Sequence, residues 1–218
     1  MKLKKIASLM LAGIMAVSML AGCKSGTEPT EPENPVAPAA TNLAGYVNGL
    51  LSEDVAKNIK FTDSAELRAA LNTVAGKSSN VGSNDINTTN ITVDAGYGGN
   101  ANLGEKVKAE FDSGVIQVTD LKNWIFDDAA NNDGVASYLE VYVLDGDMTE
   151  MNVANAMVDA WNPHLAQMNS TSVDSKKCDW AGNVSAVKVY DNTDPDTSAW
   201  VLGVMITKTV SDIENTVE

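Results

Sequence analysis

The chain has 218 residues, 44% of them hydrophobic, and carries 29 Asp+Glu against 15 Lys+Arg, a formal net charge of −14. So acidic a body repels nucleic acid and anionic lipid headgroups. A single histidine excludes a multi-histidine zinc site, and two cysteines exclude a disulfide framework, so the fold must rest on an apolar core.

Lys2, Lys4 and Lys5 crowd the start, and an uncharged apolar stretch runs from Ile6 to Leu20. Leu20-Ala21-Gly22-Cys23 follows. A basic start, an apolar middle and small residues at the exit are the parts of a secretory signal, and the run is short for a spanning helix. Leu-Ala-Gly-Cys resembles the lipobox of bacterial lipoproteins. The resemblance implies cleavage before Cys23 and lipid on its thiol, with each buried methylene of the lipid contributing about 0.8 kcal/mol to membrane retention. Residues 1–22 are read as the signal peptide. Its removal takes three lysines and no acid, leaving the body more acidic still.

Residues 23–41 are rich in Pro, Glu and Thr, with little to bury, and read as a semi-rigid tether. Residues 42–218 form one globular domain by length and pattern. Leu43, Val47, Leu50, Leu51, Val55 and Ile59 recur at helical spacing. A second helix is expected with Asp63 as cap, Glu66 three residues on, Leu67, Ala70, Leu71 and Val74 as its apolar face, and Gly76 at its end. Lys77 to Asn90 reads as loop and Asn90 to Val93 as a short strand. Gly96-Tyr97-Gly98-Gly99 lacks both the dinucleotide fingerprint and the P-loop lysine and reads as turn. Leu103, Val107 and Phe111 mark a short helix, and Asp120 caps another with Leu121, Trp124 and Ile125 inward.

Tyr138 to Leu144 is a β-branched and aromatic strand. Asp147 with Glu150 opens a helix whose face runs through Ala154, Met157, Val158 and Trp161. Pro163 predicts a break, with Asn162 capping a new short helix. Val184 to Tyr190 and Trp200 to Thr209 are strands joined as a hairpin by Asp191-Asn192-Thr193-Asp194-Pro195-Asp196. The expected fold is α+β, with helices packed on a mainly antiparallel sheet.

Several residues carry candidate chemistry. His164 is the one side chain suited to act as general base for a nucleophile, and the expected helix break would set it at a helix N-terminus, where the dipole favours neutral imidazole. Glu140 is its candidate acidic partner. Cys178 lies in Lys176-Lys177-Cys178-Asp179-Trp180, where lysines promote a thiolate and Asp179 opposes it. A Cys178–His164 dyad requires that loop to fold back; a free or buried thiol is the plainer reading. Asn131, Asp133, Gly134, Ser137 and Glu140 fall at positions three, five, six, nine and twelve of a calcium loop. Position one is Ala129, not Asp, and Glu140 reads as strand, so a polar turn is the simpler reading. The carboxylates of the Asp191–Asp196 turn have no recognised metal spacing. Among Trp124, Trp161, Trp180 and Trp200, Trp161 and Trp200 sit at core-like positions. Trp180, read as a loop residue, is the better candidate for ligand contact, such as stacking on a sugar.

The order of features from Thr62 to Thr209 resembles a degenerate CAP-superfamily domain (cysteine-rich secretory and pathogenesis-related proteins). Asp133-Gly134 matches that family's turn, Met148 to Trp161 its motif helix, His164 its motif histidine, and Ala199-Trp200-Val201 its late strand. His164 follows Trp161 by three residues where the family has six. The motif serine and the histidine before Asp-Gly are missing, so the family's two-histidine cavity is not expected. The resemblance implies an α-β-α sandwich and establishes no activity.

The leading expectation is a lipid-anchored, extracytoplasmic binding or interaction module of the bacterial cell envelope. It would need no cofactor and would meet the membrane through the Cys23 lipid. Its ligand would be a cell-wall glycan, a peptide or an envelope protein, and not nucleic acid. The alternatives are an envelope hydrolase using His164 with Glu140, and a small solute-receptor component.

Overall fold

A computed structural model describes residues 41–86, 92–93, 103–111, 116–117, 134–168 and 176–212. The signal segment, Cys23, nearly all of the tether and the helix expected after Asp120 lie outside the described residues.

The first apolar run forms α1 (Leu43–Leu50) and α2 (Glu53–Ala56). Its periodicity predicts one helix, but Leu51 turns extended and the Ser52 hydroxyl accepts from Val55 N, opening a second one. Strand β1 (Phe61–Asp63) follows, unmarked by any alternation long enough to read. Helix α3 (Ala65–Ala75) is capped by Ser64, whose hydroxyl accepts from Leu67 N at 3.1 Å, and not by Asp63. Asp63 instead pairs with Arg68 and accepts from Ser185 Oγ. The expected loop contains a short α4 (Ser83–Ile86). Then come β2 (Thr92–Val93), α5 (Leu103–Lys108), β3 (Ile116–Gln117) and β4 (Gly134–Asp145).

Helix α6 (Glu150–Leu165) opens at Thr149, whose hydroxyl accepts from Asn152 N, so Asp147 is not the cap. It also runs through Pro163 without the expected break. The missing N–H costs a single bond near the end of the helix. Trp161 and Leu165, four apart and both buried, hold the last turn against the sheet. Strands β5 (Lys176–Tyr190) and β6 (Ser198–Asp212) complete the domain.

The sheet order is β1-β5-β6-β4-β2, with β3 also beside β4. The long central pairs β5–β6 and β4–β6 are antiparallel, while the short β1 and β3 pair in parallel. The fold is therefore α+β with a mainly antiparallel sheet, as expected. Register pairs even residues with even and odd with odd across β4, β6 and β5. Side chains alternate along a strand, so each parity builds one face. Tyr138, Tyr142, Val184, Leu202 and Ile206 face a core with Leu43 and Val47 of α1 and Met157, Trp161 and Leu165 of α6. Leu139, Val141, Val143, Val187 and Val201 face a second core with Leu67, Leu71 and Val74 of α3 and Val107 of α5. Each such side chain contributes about 1.5–3 kcal/mol on burial.

Two glycines allow the close approaches. A Cβ on Gly182 would lie 2.5 Å from the Phe61 ring, and one on Gly203 would lie 3.0 Å from Leu67 and Leu71. The first lets β1 dock beside β5, and the second lets α3 settle on the sheet. Among the described residues no helix is long and apolar enough to cross a membrane.

Candidate functional site

Two places gather polar side chains. The first lies under α6. Glu140 and Tyr142 are two apart on β4 and so share a face, and Tyr142 OH donates to Glu140 Oε2 at 2.8 Å. Trp161 Nε1 donates to the same oxygen at 2.9 Å and also meets the Tyr142 hydroxyl. The Trp161 ring lies 6.0 Å from Tyr142 and 6.1 Å from Phe61, centroid to centroid. Burial raises the Tyr142 phenol well above its usual pKa, and the neighbouring Glu140 carboxylate pushes the same way. The cluster therefore holds a neutral phenol and an indole on a carboxylate, an arrangement that pins α6 to the sheet.

The second place is an open cleft of about 500 Å³ between the turn that follows α3, with α4, and the start of the β5–β6 hairpin. Val81 and Ile86, both buried in the second core, and the partly buried Val189 back the cleft, and Asn72, Ser78, Ser83, Asn192 and Thr193 are the amide and hydroxyl residues along it. Asp191 ties the two walls together. It is buried, and its Oδ1 accepts from Thr193 N at 2.8 Å and Thr193 Oγ1 at 2.7 Å. These bonds, the backbone one foremost, with a further one from the Ser83 side chain, hold the carboxyl below its usual pKa. Asp194 likewise serves its own turn, accepting from Asp196 N and Thr197 Oγ1. These carboxylates are used as turn caps, which is why their spacing matches no metal loop.

Tyr190, 58% exposed, borders the cleft with its backbone, while its even position on β5 turns its ring to the opposite face of the sheet. Lys188 shares that opposite face, and its Nζ lies 5.9 Å from the Tyr190 ring centre and 5.6 Å from that of Trp200. Its charge is thus placed over aromatic faces.

The sequence-predicted residues fall as follows. His164 is in the last turn of α6 and not at a helix N-terminus, contrary to the expectation. Its side chain lies outside the described residues. Glu140 is engaged by Tyr142 and Trp161. Asn131 and Asp133 lie outside the described residues, while Gly134 begins β4. Ser137, the ninth calcium-loop position, bonds Thr207 across the β4–β6 pair. Among the described residues no group of three or more His, Cys, Asp or Glu side chains is placed to hold a metal.

Trp180 is in β5 and not in a loop; it is partly buried against the first core, with Lys208 Nζ 5.5 Å from its ring centre. The segment expected as a loop around Trp180 is strand because β6 extends far enough to pair with it. Cys178 lies in the same strand, buried at 2% exposure. Trp200 is partly buried, and its Nε1 donates to Met148 O.

The cleft itself escaped the sequence reading. Its walls come from the loop after α3 and from a hairpin more than a hundred residues later, and no local pattern announces that they meet. Comparison with protein families, curated proteins and solved structures finds no match to this chain.

Proposed function

We propose that the chain is a lipid-anchored binding module at the extracytoplasmic face of a bacterial membrane, with the cleft beside the β5–β6 hairpin as its ligand site. The observation that carries the anchoring is the ordered set Lys2-Lys4-Lys5, an apolar run, and Leu20-Ala21-Gly22-Cys23. The acidic body repels the anionic surface into which its lipid inserts, and the proline-rich tether gives it reach. A cleft of this size, part apolar and part polar, suits a small ligand. The commitment of Glu140 to Tyr142 and Trp161 supports binding over hydrolysis, because that carboxylate already accepts two bonds.

The test is the mass and location of the native product expressed in a bacterium. Cleavage before Cys23, a diacylglycerol-sized gain on its sulfur and recovery with the membrane fraction are expected. Cys23→Ser should leave the leader uncleaved. A product retaining Met1, or an unmodified sulfur at Cys23, overturns the reading.

A further inference from the structure

We infer that the cleft binds an extended peptide segment as an added strand on the outer edge of β5, an inference that rests on the reading of this chain as an envelope binding module with its ligand site there. Hydrogen bonds around the hairpin fix which backbone groups face the cleft. Asp191 N donates to Thr197 O, and Gly146 N donates to Ser198 O. Tyr190 and Ser198 are therefore a non-hydrogen-bonded pair, whose backbone groups point away from each other, those of Ser198 toward β4. The β5–β6 register runs on without a break, so Lys188 and Tyr190 both aim N–H and C=O off the outer edge of β5. Gly182 has the same parity, and its N–H donates outward to Lys60 O beside β1.

Strand β1 covers that edge only as far as Val184, and among the described residues no other strand pairs with β5 on that side. The outward backbone groups of Lys188 and Tyr190 thus border the open cleft of about 500 Å³. Its far wall is the end of α3 and the turn to α4, at Asn72, Gly76 and Ser78. Strand addition to an exposed sheet edge is a general mode of peptide recognition: main-chain bonds hold the ligand and alternate side chains select it. Antiparallel pairing, the more stable per residue, sets one ligand residue opposite Lys188, exchanging two hydrogen bonds with it. That residue shares a sheet face with the Lys188 ammonium, so a carboxylate is favoured there. The ligand residues flanking it turn to the other face, beside Val189, and suit β-branched apolar side chains. The same charge rule disfavours a second copy as occupant, because a symmetric pairing of two β5 edges about Lys188 sets like charges opposite each other.

The experiment is amide hydrogen exchange by NMR on the isotope-labelled full chain in detergent, with the acetylated and amidated peptide Thr-Val-Glu-Val-Thr as probe. At saturating peptide, exchange at the Lys188 and Tyr190 N–H groups should slow about tenfold or more, while Val187 and Val189, whose N–H groups face β6, should change little. N-methylation of the peptide's Glu removes the N–H aimed at Lys188 O and should abolish binding. Replacing that Glu by Lys should weaken binding about fivefold, and Lys188→Glu should reverse the preference. The inference is overturned by absence of protection at Lys188 and Tyr190, by full binding of the N-methyl peptide, or by an unchanged preference in Lys188→Glu. Self-association that protects the same two amides without peptide overturns it as well. The N-methyl arm uses the wild-type chain, so it stands even where circular dichroism shows Lys188→Glu misfolded. None of these outcomes touches the lipid on Cys23, which the mass measurement tests separately.

Discussion

At the scale of single residues, the cluster under α6 shows how a sparse polar set orders an apolar interface. Trp161 is 1% exposed, yet its indole N–H has acceptors in Glu140 and Tyr142. Leaving a buried acceptor without its donor costs about 1–3 kcal/mol. Trp161→Phe keeps most of the ring and removes the N–H, so it should lower stability to urea by about that amount. Wild-type stability in Trp161→Phe would mean that the cluster fills space and nothing more. The same geometry explains why Glu140 looked attractive as a catalytic acid or a calcium ligand. Its type and spacing were legible, but its two donors come from a neighbour on its own strand and from a helix twenty-one residues on.

At the scale of elements, the hairpin and α4 are joined through Asp191. Its carboxyl titrates below the ordinary aspartate value of about 3.9 because Thr193 and Ser83 donate to the charged form. A depressed folded-state pKa gives stability that is fully present above the unfolded value and is lost as pH falls through the folded one. Asp191→Asn removes the titrating group. The wild-type chain should therefore lose more stability than the variant between pH 5 and about pH 2, as read from urea midpoints at the two ends. Equal acid losses in both proteins would mean that the tie contributes nothing. The turn character of Asp191–Asp196 was readable from its Asn, Asp and Pro content, whereas the bond to Ser83 was not.

At the scale of the whole molecule, one mainly antiparallel sheet separates two cores. Cys178 sits within β5, paired with Val210 of β6 and buried. A thiol reagent should therefore reach it only when the sheet opens, and labelling should follow global unfolding across a denaturant series. Rapid labelling of the native protein would show that this end of the β5–β6 pair opens locally. Trp180 was expected in a loop; its place beside Cys178 in a long strand is what closes off the thiol.

The amino-acid order alone determined the class of fold, the strong elements and the proposed address. Alternation from Tyr138 to Leu144 and helical spacing in α3 and α6 are local signals, and they were sufficient for those elements. The tertiary structure decided whatever depended on a distant partner. It carried α6 through Pro163, because burial of Trp161 and Leu165 outweighs one lost backbone bond. It drew Lys176–Asn183 into β5, because β6 was long enough to pair with that segment. It created the cleft by setting the hairpin against α4. Local periodicity records which face a residue must bury, but pairing and convergence are set by contacts between segments far apart in the chain, and no short window of sequence contains both partners.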